Sequence, residues 1–170
     1  MKKPEVWMRG PVPEVPAILQ PAAHALLQSV EEVETIVQDF DDKLLWSKPA
    51  GMASVGFHLK HLCGVVDRLF TYARGASLTP QQLEYLEREG IPGDEPSILL
   101  ARNFSEQVDR AINQLKQTPD DDLLASRGIG RKQIPTNVLG LLFHAAEHTQ
   151  RHVGQLLVTV QWVKNEDLLR

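Results

Sequence analysis

Residues 141–156 read LLFHAAEHTQRHVGQL, with a histidine at every fourth position, as His144, His148 and His152. No proline interrupts the stretch, and it predicts one long helix over 136–164. A step of four residues moves a side chain only about 40° around a helix of about 3.6 residues per turn, so the three imidazoles lie on one face. An isolated histidine there is usually a hydrogen-bonded core residue. Three at this spacing favour a metal ion, which satisfies several imidazoles at once.

The rest of the chain predicts an all-α fold. Apolar residues follow helical spacing in three further segments, 17–39, 55–74 and 97–117. Residues 79–82, TPQQ, form an N-cap, a first-turn proline and a capping-box glutamine, and they predict a short surface helix over 80–89. We find no sustained alternation of apolar and polar residues that would indicate strands. Four long helices and one short helix predict a four-helix bundle.

The chain of 170 residues is long enough for one domain with its own hydrophobic core. Residues 1–16 contain four prolines, which predict an extended N-terminal arm. Residues 17–170 are expected to form the single bundle domain. We expect residues 118–135 to be a long loop, with a short turn of helix around 123–125.

Charge and cysteine content limit the classes of partner and compartment. The formal net charge is -4, which gives no basic surface for nucleic acid. Cys63 is the only cysteine, so an internal disulfide is excluded and the cytoplasm is favoured. The sequence contains no run of about 18 apolar residues that would span a membrane. We therefore expect a cytoplasmic protein that acts on a small molecule, with neither nucleic acid nor membrane as partner.

A metal held by the last helix needs a ligand from elsewhere in the fold. Two histidines four residues apart can take adjacent positions around a metal. His61, in an otherwise apolar part of the second long helix, could face them. Three histidines leave coordination positions open, as in catalytic sites. Zinc is the first expectation, and nickel, iron or cobalt would also accept imidazoles.

Two segments carry a resemblance to a known family. SVGFHLKHLCGVVDRLFTYARG, residues 54–75, and FHAAEHTQRHVGQL, residues 143–156, resemble the DinB/YfiT-like superfamily of four-helix proteins. Its members carry one histidine on the second helix and an HxxxH pair on the last, and the resemblance extends to about residue 163. It implies that His61, His148 and His152 are the metal ligands.

Other residues near these ligands are further candidates. The sequence has HVGQ where many members have HRGQ, and Arg151 stands one residue earlier. His58 and His144 are additional to the triad. His144 is the preferred substitute ligand and, with Glu147, a candidate catalytic residue. A salt bridge from Glu147 to Arg151 is the simpler interpretation of that glutamate. The candidate cofactor-binding residues are His58, Arg127, Arg131 and Gln155, although a merely solvated loop is the favoured interpretation of the two arginines.

The resemblance also implies a class of activity. Members with known activity are metal-dependent transferases or isomerases that use low-molecular-weight thiols such as bacillithiol or mycothiol, and others have been called hydrolases. We expect a thiol-dependent S-transferase ahead of a metal-assisted hydrolase. The alternative is a non-catalytic, metal-stabilised bundle that acts as a dimer or a small-ligand-binding module. A homodimer is expected, with apolar residues at the end of the last helix as one possible interface: Leu156, Leu157, Val160 and Trp162.

Overall fold

Five α-helices and one small hairpin make up the part of the chain that the computed structural model describes, residues 3–168. Residues 1–2 of the predicted arm and residues 169–170 of the predicted domain lie outside it. The elements are, in chain order, α1 (Gln20–Val37), α2 (Val55–Ala73), α3 (Pro80–Arg88), α4 (Ser97–Lys116), β1 (Ser126–Ile129), β2 (Ile134–Asn137) and α5 (Val138–Leu168). The predicted all-α, four-helix class is confirmed.

The four long helices pack around one apolar core. α2 contacts both α5 and α4, and α1 contacts the same two helices, so α1 lies diagonally across from α2. Each helix contributes a buried apolar stripe, of which the largest members include Leu26, Leu59, Leu62, Phe70, Phe104, Leu142 and Leu156. No helix among the described residues has both the length and the apolarity needed to cross a membrane. The contact between α2 and α5 brings the two histidine-bearing helices side by side.

Side-chain caps begin two of the helices, and the capping box predicted at 79–82 is confirmed. The Ser54 hydroxyl accepts a hydrogen bond from the Phe57 N–H at 3.1 Å, and α2 begins at the next residue after the serine. At α3, the Thr79 N–H donates to Gln82 Oε1 at 2.9 Å, and the Gln82 N–H donates to Thr79 Oγ1 at 3.2 Å. The cap at Ser54 fixes the start of α2 one turn before its first histidine.

The N-terminal arm differs from the extended segment that its prolines predict. Residues 6–9 form a single 3₁₀ turn against α1, where the Val6 N–H donates to Gln28 Oε1 at 2.9 Å. Val6 is buried, whereas Trp7 and Met8 are 62% and 54% exposed. Successive side chains of a 3₁₀ turn point about 120° apart, so one of the three can face the helix.

The segment predicted as a loop contains the hairpin. β1 and β2 pair antiparallel, from Ser126 opposite Asn137 to Ile129 opposite Ile134. A 3₁₀ turn covers 120–122, in place of the helical turn expected at 123–125. Four-residue strands are too short for apolar alternation to show in the sequence. β2 occupies the first two residues of the predicted last helix, 136 and 137, so α5 begins at Val138.

We predict that one ion pair holds the arm in a pH-dependent way. Glu31 accepts hydrogen bonds from Arg9 at 2.5 and 2.7 Å and from Lys3 at 2.8 Å. The bond from Arg9 is the main cause that lowers the pKa of Glu31 to about 2. An unpaired glutamate titrates near pH 4.3. The contribution is therefore present above that pH and lost as the pH falls toward 2.

Glu31→Gln should lower the free energy of unfolding at pH 7 by about 0.5 kcal/mol, a small value because Glu31 is 35% exposed and water screens the pair. The difference in the free energy of unfolding between wild type and Glu31→Gln should be smaller at pH 3. Urea unfolding at both pH values would measure it, with Glu34→Gln on the same helix as control. Equal stability of the two variants at pH 7 would contradict the prediction.

Candidate metal centre

The imidazoles of α2 and α5 converge between the two helices. Nε2 of His61 lies 3.0 Å from Nε2 of His148. One ligand atom from each of His61, His148 and His152 lies within 4.8 Å of the others, so the three form a group that could hold a metal ion. All three are partly buried. The structure thus brings together the three residues that the sequence nominated.

A buried carboxylate orients the first of these rings. Oε2 of Glu89 lies 2.8 Å from Nδ1 of His61, and Glu89 is only 2% exposed. Because a carboxylate accepts, Nδ1 carries the proton and Nε2 presents its lone pair to the group. Phe57 stacks on the same ring with a centroid distance of 5.3 Å. Metal-binding histidines in proteins are commonly held in this way, by a carboxylate on the second nitrogen.

Arg68 compensates the buried charge of Glu89. Its Nη1 donates to Oε1 of Glu89 at 2.5 Å, and Arg68 is itself 8% exposed. Arg68 follows His61 by seven residues, which is almost two full helical turns, so both lie on one face of α2. A carboxylate buried without a partner would cost several kcal/mol. Arg68 and Glu89 therefore form a connected, buried support for the ring of His61.

Gly64 makes room for this support. It lies between His61 and Arg68 on the same face of α2, and a Cβ at this position would overlap the Glu89 carboxylate and the Arg68 guanidinium. Tyr85 of α3 also lies within 3 Å of that Cβ position. The absence of a side chain at Gly64 is what lets Glu89 reach His61.

His58 supports the ring of His152 rather than joining the triad. The two Nδ1 atoms lie 3.2 Å apart, so one donates a proton and the other accepts it. His58 is 4% exposed. If Nδ1 of His152 is engaged in this bond, its Nε2 is the atom left for a metal. His58 thus lies behind the group, on the side of the start of α2.

The protonation of these imidazoles suits metal binding. Burial is the main cause that lowers the pKa of His58 to about 4 and that of His152 to about 3, and the coulombic effect of the neighbouring His61 ring adds to it. The same two causes lower the pKa of His148. The neutral imidazole is the form that binds a metal. At neutral pH His148 and His152 are therefore in the ligating form, and His58 behind them is neutral as well.

The donor set of the group fits a bound ion. Nε2 of His148 is the ring nitrogen that faces His61. Three neutral nitrogen donors match zinc and also nickel, iron or cobalt. The residues present therefore fit a divalent metal.

Glu147 and His144 lie on the outer side of the group. Glu147 accepts from Arg151 at 2.8 and 2.9 Å, which is the predicted salt bridge, and it lies 2.7 Å from Nδ1 of His144. The bond from Arg151 is the main cause that lowers the pKa of Glu147. His144, Glu147 and His148 form a second group that could hold a metal, but its His144 member is exposed.

The remaining candidates divide between two places. Arg127 donates to the Ala73 carbonyl at 2.8 Å and, with Arg131, lines a cleft at the hairpin. Ala73 is twelve residues beyond His61, or about 18 Å along α2. The structure therefore does not bring these arginines to the histidine group. Gln155 instead lines a cavity that His58 also lines.

Two residues of the site were missed by sequence reasoning. The prediction that 80–89 is a surface element is wrong for its last residue, since Glu89 is buried. Nothing local distinguishes Glu89 from the exposed glutamates Glu84 and Glu87 that precede it. Arg68 did carry a signal, because a charged residue seven positions after His61 interrupts an apolar helix face.

We predict opposite effects of alanine at two helical glycines. Alanine in a helix interior normally stabilises by up to about 1 kcal/mol relative to glycine. Gly154→Ala should show this gain, since nothing lies within 4 Å of the added Cβ. Gly64→Ala should instead destabilise by about 1–3 kcal/mol, because the methyl group displaces Glu89. Thermal unfolding measures both, and a gain at Gly64 would show that Glu89 does not need this space.

We also predict that Glu89→Gln lowers zinc affinity by about 10- to 100-fold, because the carboxylate that orients His61 is lost. Competition with a chelating indicator measures the affinity, and exposed Glu87→Gln is the matched control. The variant also leaves Arg68 buried without a counter-charge, which costs about 3–5 kcal/mol. The double variant Arg68→Met/Glu89→Leu removes both charges, and it should regain stability but not affinity. Wild-type affinity in the double variant would refute the orienting role.

Comparison with known proteins gives the family. The model of the DinB superfamily matches residues 14–156, a stretch that contains α1 to α4, the hairpin and all the histidines of the group. No curated protein matched the sequence. The family match covers well over half of the chain and agrees with the helical bundle. This chain belongs to the DinB superfamily.

Proposed function

We propose that this protein is a metal-dependent enzyme whose centre is held by His61, His148 and His152. The observation that carries the proposal is the convergence of three imidazoles, one of them oriented by the buried carboxylate of Glu89. A divalent ion held there would lower the pKa of a thiol or water that it binds and so supply a nucleophile at neutral pH. Zinc or nickel is the preferred metal, with iron and cobalt as further possibilities.

The carboxylates around the group favour thiol transfer over hydrolysis. Hydrolysis usually needs a base that removes a proton from water. Among the described residues next to the triad, Glu89 is paired with Arg68 and His61, and Glu147 is paired with Arg151 and His144. A thiol ionises far more easily than water and needs no such base. We therefore propose an S-transferase: the thiolate sulfur bonds to an electrophilic carbon, the leaving group departs with its bonding electrons, and the thiol proton passes to solvent.

The thiol must come from outside the chain. Cys63 is the only cysteine, and burial raises the pKa of its thiol to about 11. Its Sγ lies 3.6 Å from the Asn103 carbonyl on α4. This residue is a helix-packing thiol and does not supply the nucleophile. A low-molecular-weight thiol is the proposed co-substrate, and the reducing cytoplasm is the proposed setting.

A second candidate function is a metal-stabilised, dimeric bundle without catalysis. The observation that favours it is the apolar surface at the end of α5, where Leu157, Val158 and Trp162 are 48%, 63% and 51% exposed. Leu156 and Val160, which we expected there too, are instead buried in the core. In this second function a homodimer would form through this surface.

The metal content of the protein tests the centre. Protein purified without a metal-affinity column should contain about one metal per chain by inductively coupled plasma mass spectrometry. His61→Ala, His148→Ala and His152→Ala should each lose it, because two imidazoles hold the ion too weakly. His24→Ala and His144→Ala are controls and should keep it, since His24 contacts the Gly10 carbonyl in the arm and His144 is exposed.

Thiol consumption then separates the two functions. Metal-loaded wild type should accelerate the loss of free thiol from a low-molecular-weight thiol mixed with an aryl halide, and His148→Ala should not. Retention of stoichiometric metal by the His148→Ala and His152→Ala variants would show that the centre lies elsewhere. A metal-loaded wild type that neither consumes a thiol nor hydrolyses an ester would favour the non-catalytic bundle.

A further inference from the structure

A cavity of about 530 Å³ opens beside the histidine group. Its walls come from the segment before α2, from the start of α2 and from the middle and second half of α5. They include Met52, His58, Gly154, Val158 and Trp162. Pockets that hold small organic ligands commonly measure about 300–1,000 Å³. The cavity therefore has the size of a substrate site.

One wall of the cavity is a side chain that touches the triad. His58 lines the cavity, and its Nδ1 lies 3.2 Å from Nδ1 of His152. Along α5, the lining residues Arg151, Gly154 and Val158 recur three or four positions apart, so they form one stripe beside His152. A ligand that fills the cavity consequently ends one side chain away from a proposed metal ligand.

Gly154 keeps one wall of this cavity open. It lies in the interior of α5, where glycine is less favourable than alanine by up to about 1 kcal/mol. A Cβ built at Gly154 meets nothing within 4 Å. Fold packing thus does not require glycine here, whereas a larger side chain on this residue would project into the cavity that it lines.

The electrostatics of the walls select an uncharged ligand. Among the described residues that line the cavity, Arg151 alone carries a formal charge at neutral pH, and Glu147 neutralises it through two short hydrogen bonds. An anion would find no unpaired cation. Met52, Val158 and Trp162 supply exposed apolar surface, and Gln155 supplies an amide for hydrogen bonding. Burial of apolar surface is therefore the main favourable contribution that these walls make to the binding of a ligand.

We propose that this cavity binds the electrophilic substrate, an uncharged and mainly apolar molecule with an aromatic ring that packs on Trp162 and a reactive end that lies toward His58. This substrate class rests on the proposed transferase function. A charged, hydrophilic thiol does not match these walls, so the thiol approaches the centre from its other side. The ligand contacts are with the cavity, and therefore binding does not need the metal.

The test compares two probes with the same ring system. N-phenyl-1-naphthylamine is neutral, and 8-anilinonaphthalene-1-sulfonate adds one negative charge. Fluorescence titration of the full chain should give at least tenfold tighter binding of the neutral probe. Gly154→Leu, which fills the cavity from a position with open space, should weaken that binding at least tenfold. Gln161→Leu on the same helix, exposed and outside the cavity, should leave it unchanged.

The titration is repeated with chelator present and on His148→Ala. Unchanged probe binding in both would support the cavity even if the metal and transferase proposals fail. The cavity proposal would be overturned if the two probes bound wild type equally tightly. It would also be overturned if the neutral probe bound wild type and Gly154→Leu equally tightly. Neither result would affect the proposed metal centre.

Light scattering addresses a second copy of the chain as the alternative occupant. A wild-type dimer that Gly154→Leu converts to a monomer, with no probe binding to the wild type, would assign this surface to dimerisation and overturn the substrate site. The substrate site would be supported if wild type and Gly154→Leu have the same oligomeric state and the variant loses probe binding as expected.

Discussion

The buried contact between Arg68, Glu89 and His61 is the interaction on which the centre depends. Removing two charges from water is costly, and apolar residues of the same size would often serve stability equally well. What the ion pair adds is direction: one carboxylate oxygen faces the guanidinium and the other fixes the proton of His61 on Nδ1. Gly64 supplies the space for it. The approach of α3 to α2 therefore bears on ligand orientation as well as on packing.

Local rules account for what the sequence predicted well. Ser54 and Thr79 cap their helices through hydrogen bonds that span three residues, and His148 and His152 share a face because a helix repeats every 3.6 residues. His61 needed more, since the other two histidines of the group lie 87 or more residues away. Its place in an apolar part of the second helix and the family resemblance together selected it over His58. Glu89 and the hairpin could not be predicted. Burial of Glu89 depends on how α3 docks, and four-residue strands depend on a pairing that their own sequence does not specify.

The two halves of the long helix α5 line two different regions, the histidine group and the apolar cavity. Its first half presents His148 and His152 toward α2, and its second half lines the apolar cavity through Gly154, Val158 and Trp162. His58 touches both regions from α2. Such an arrangement puts the proposed reaction centre and the proposed substrate cavity next to each other on rigid elements. Rigid placement matters because a reacting group that shifts by 1 Å loses much of its rate advantage.

The ion pair between Glu147 and Arg151 affects both the histidine group and the apolar cavity. His148 belongs to two possible metal groups, one with His61 and His152 and one with His144 and Glu147. Arg151 donates to both carboxylate oxygens of Glu147, which weakens that carboxylate as a ligand. The pairing therefore biases an ion at His148 toward the three-histidine group. The pairing also neutralises the charge that Arg151 would bring to the cavity. One surface ion pair therefore favours metal binding at the three-histidine group and keeps the neighbouring cavity neutral.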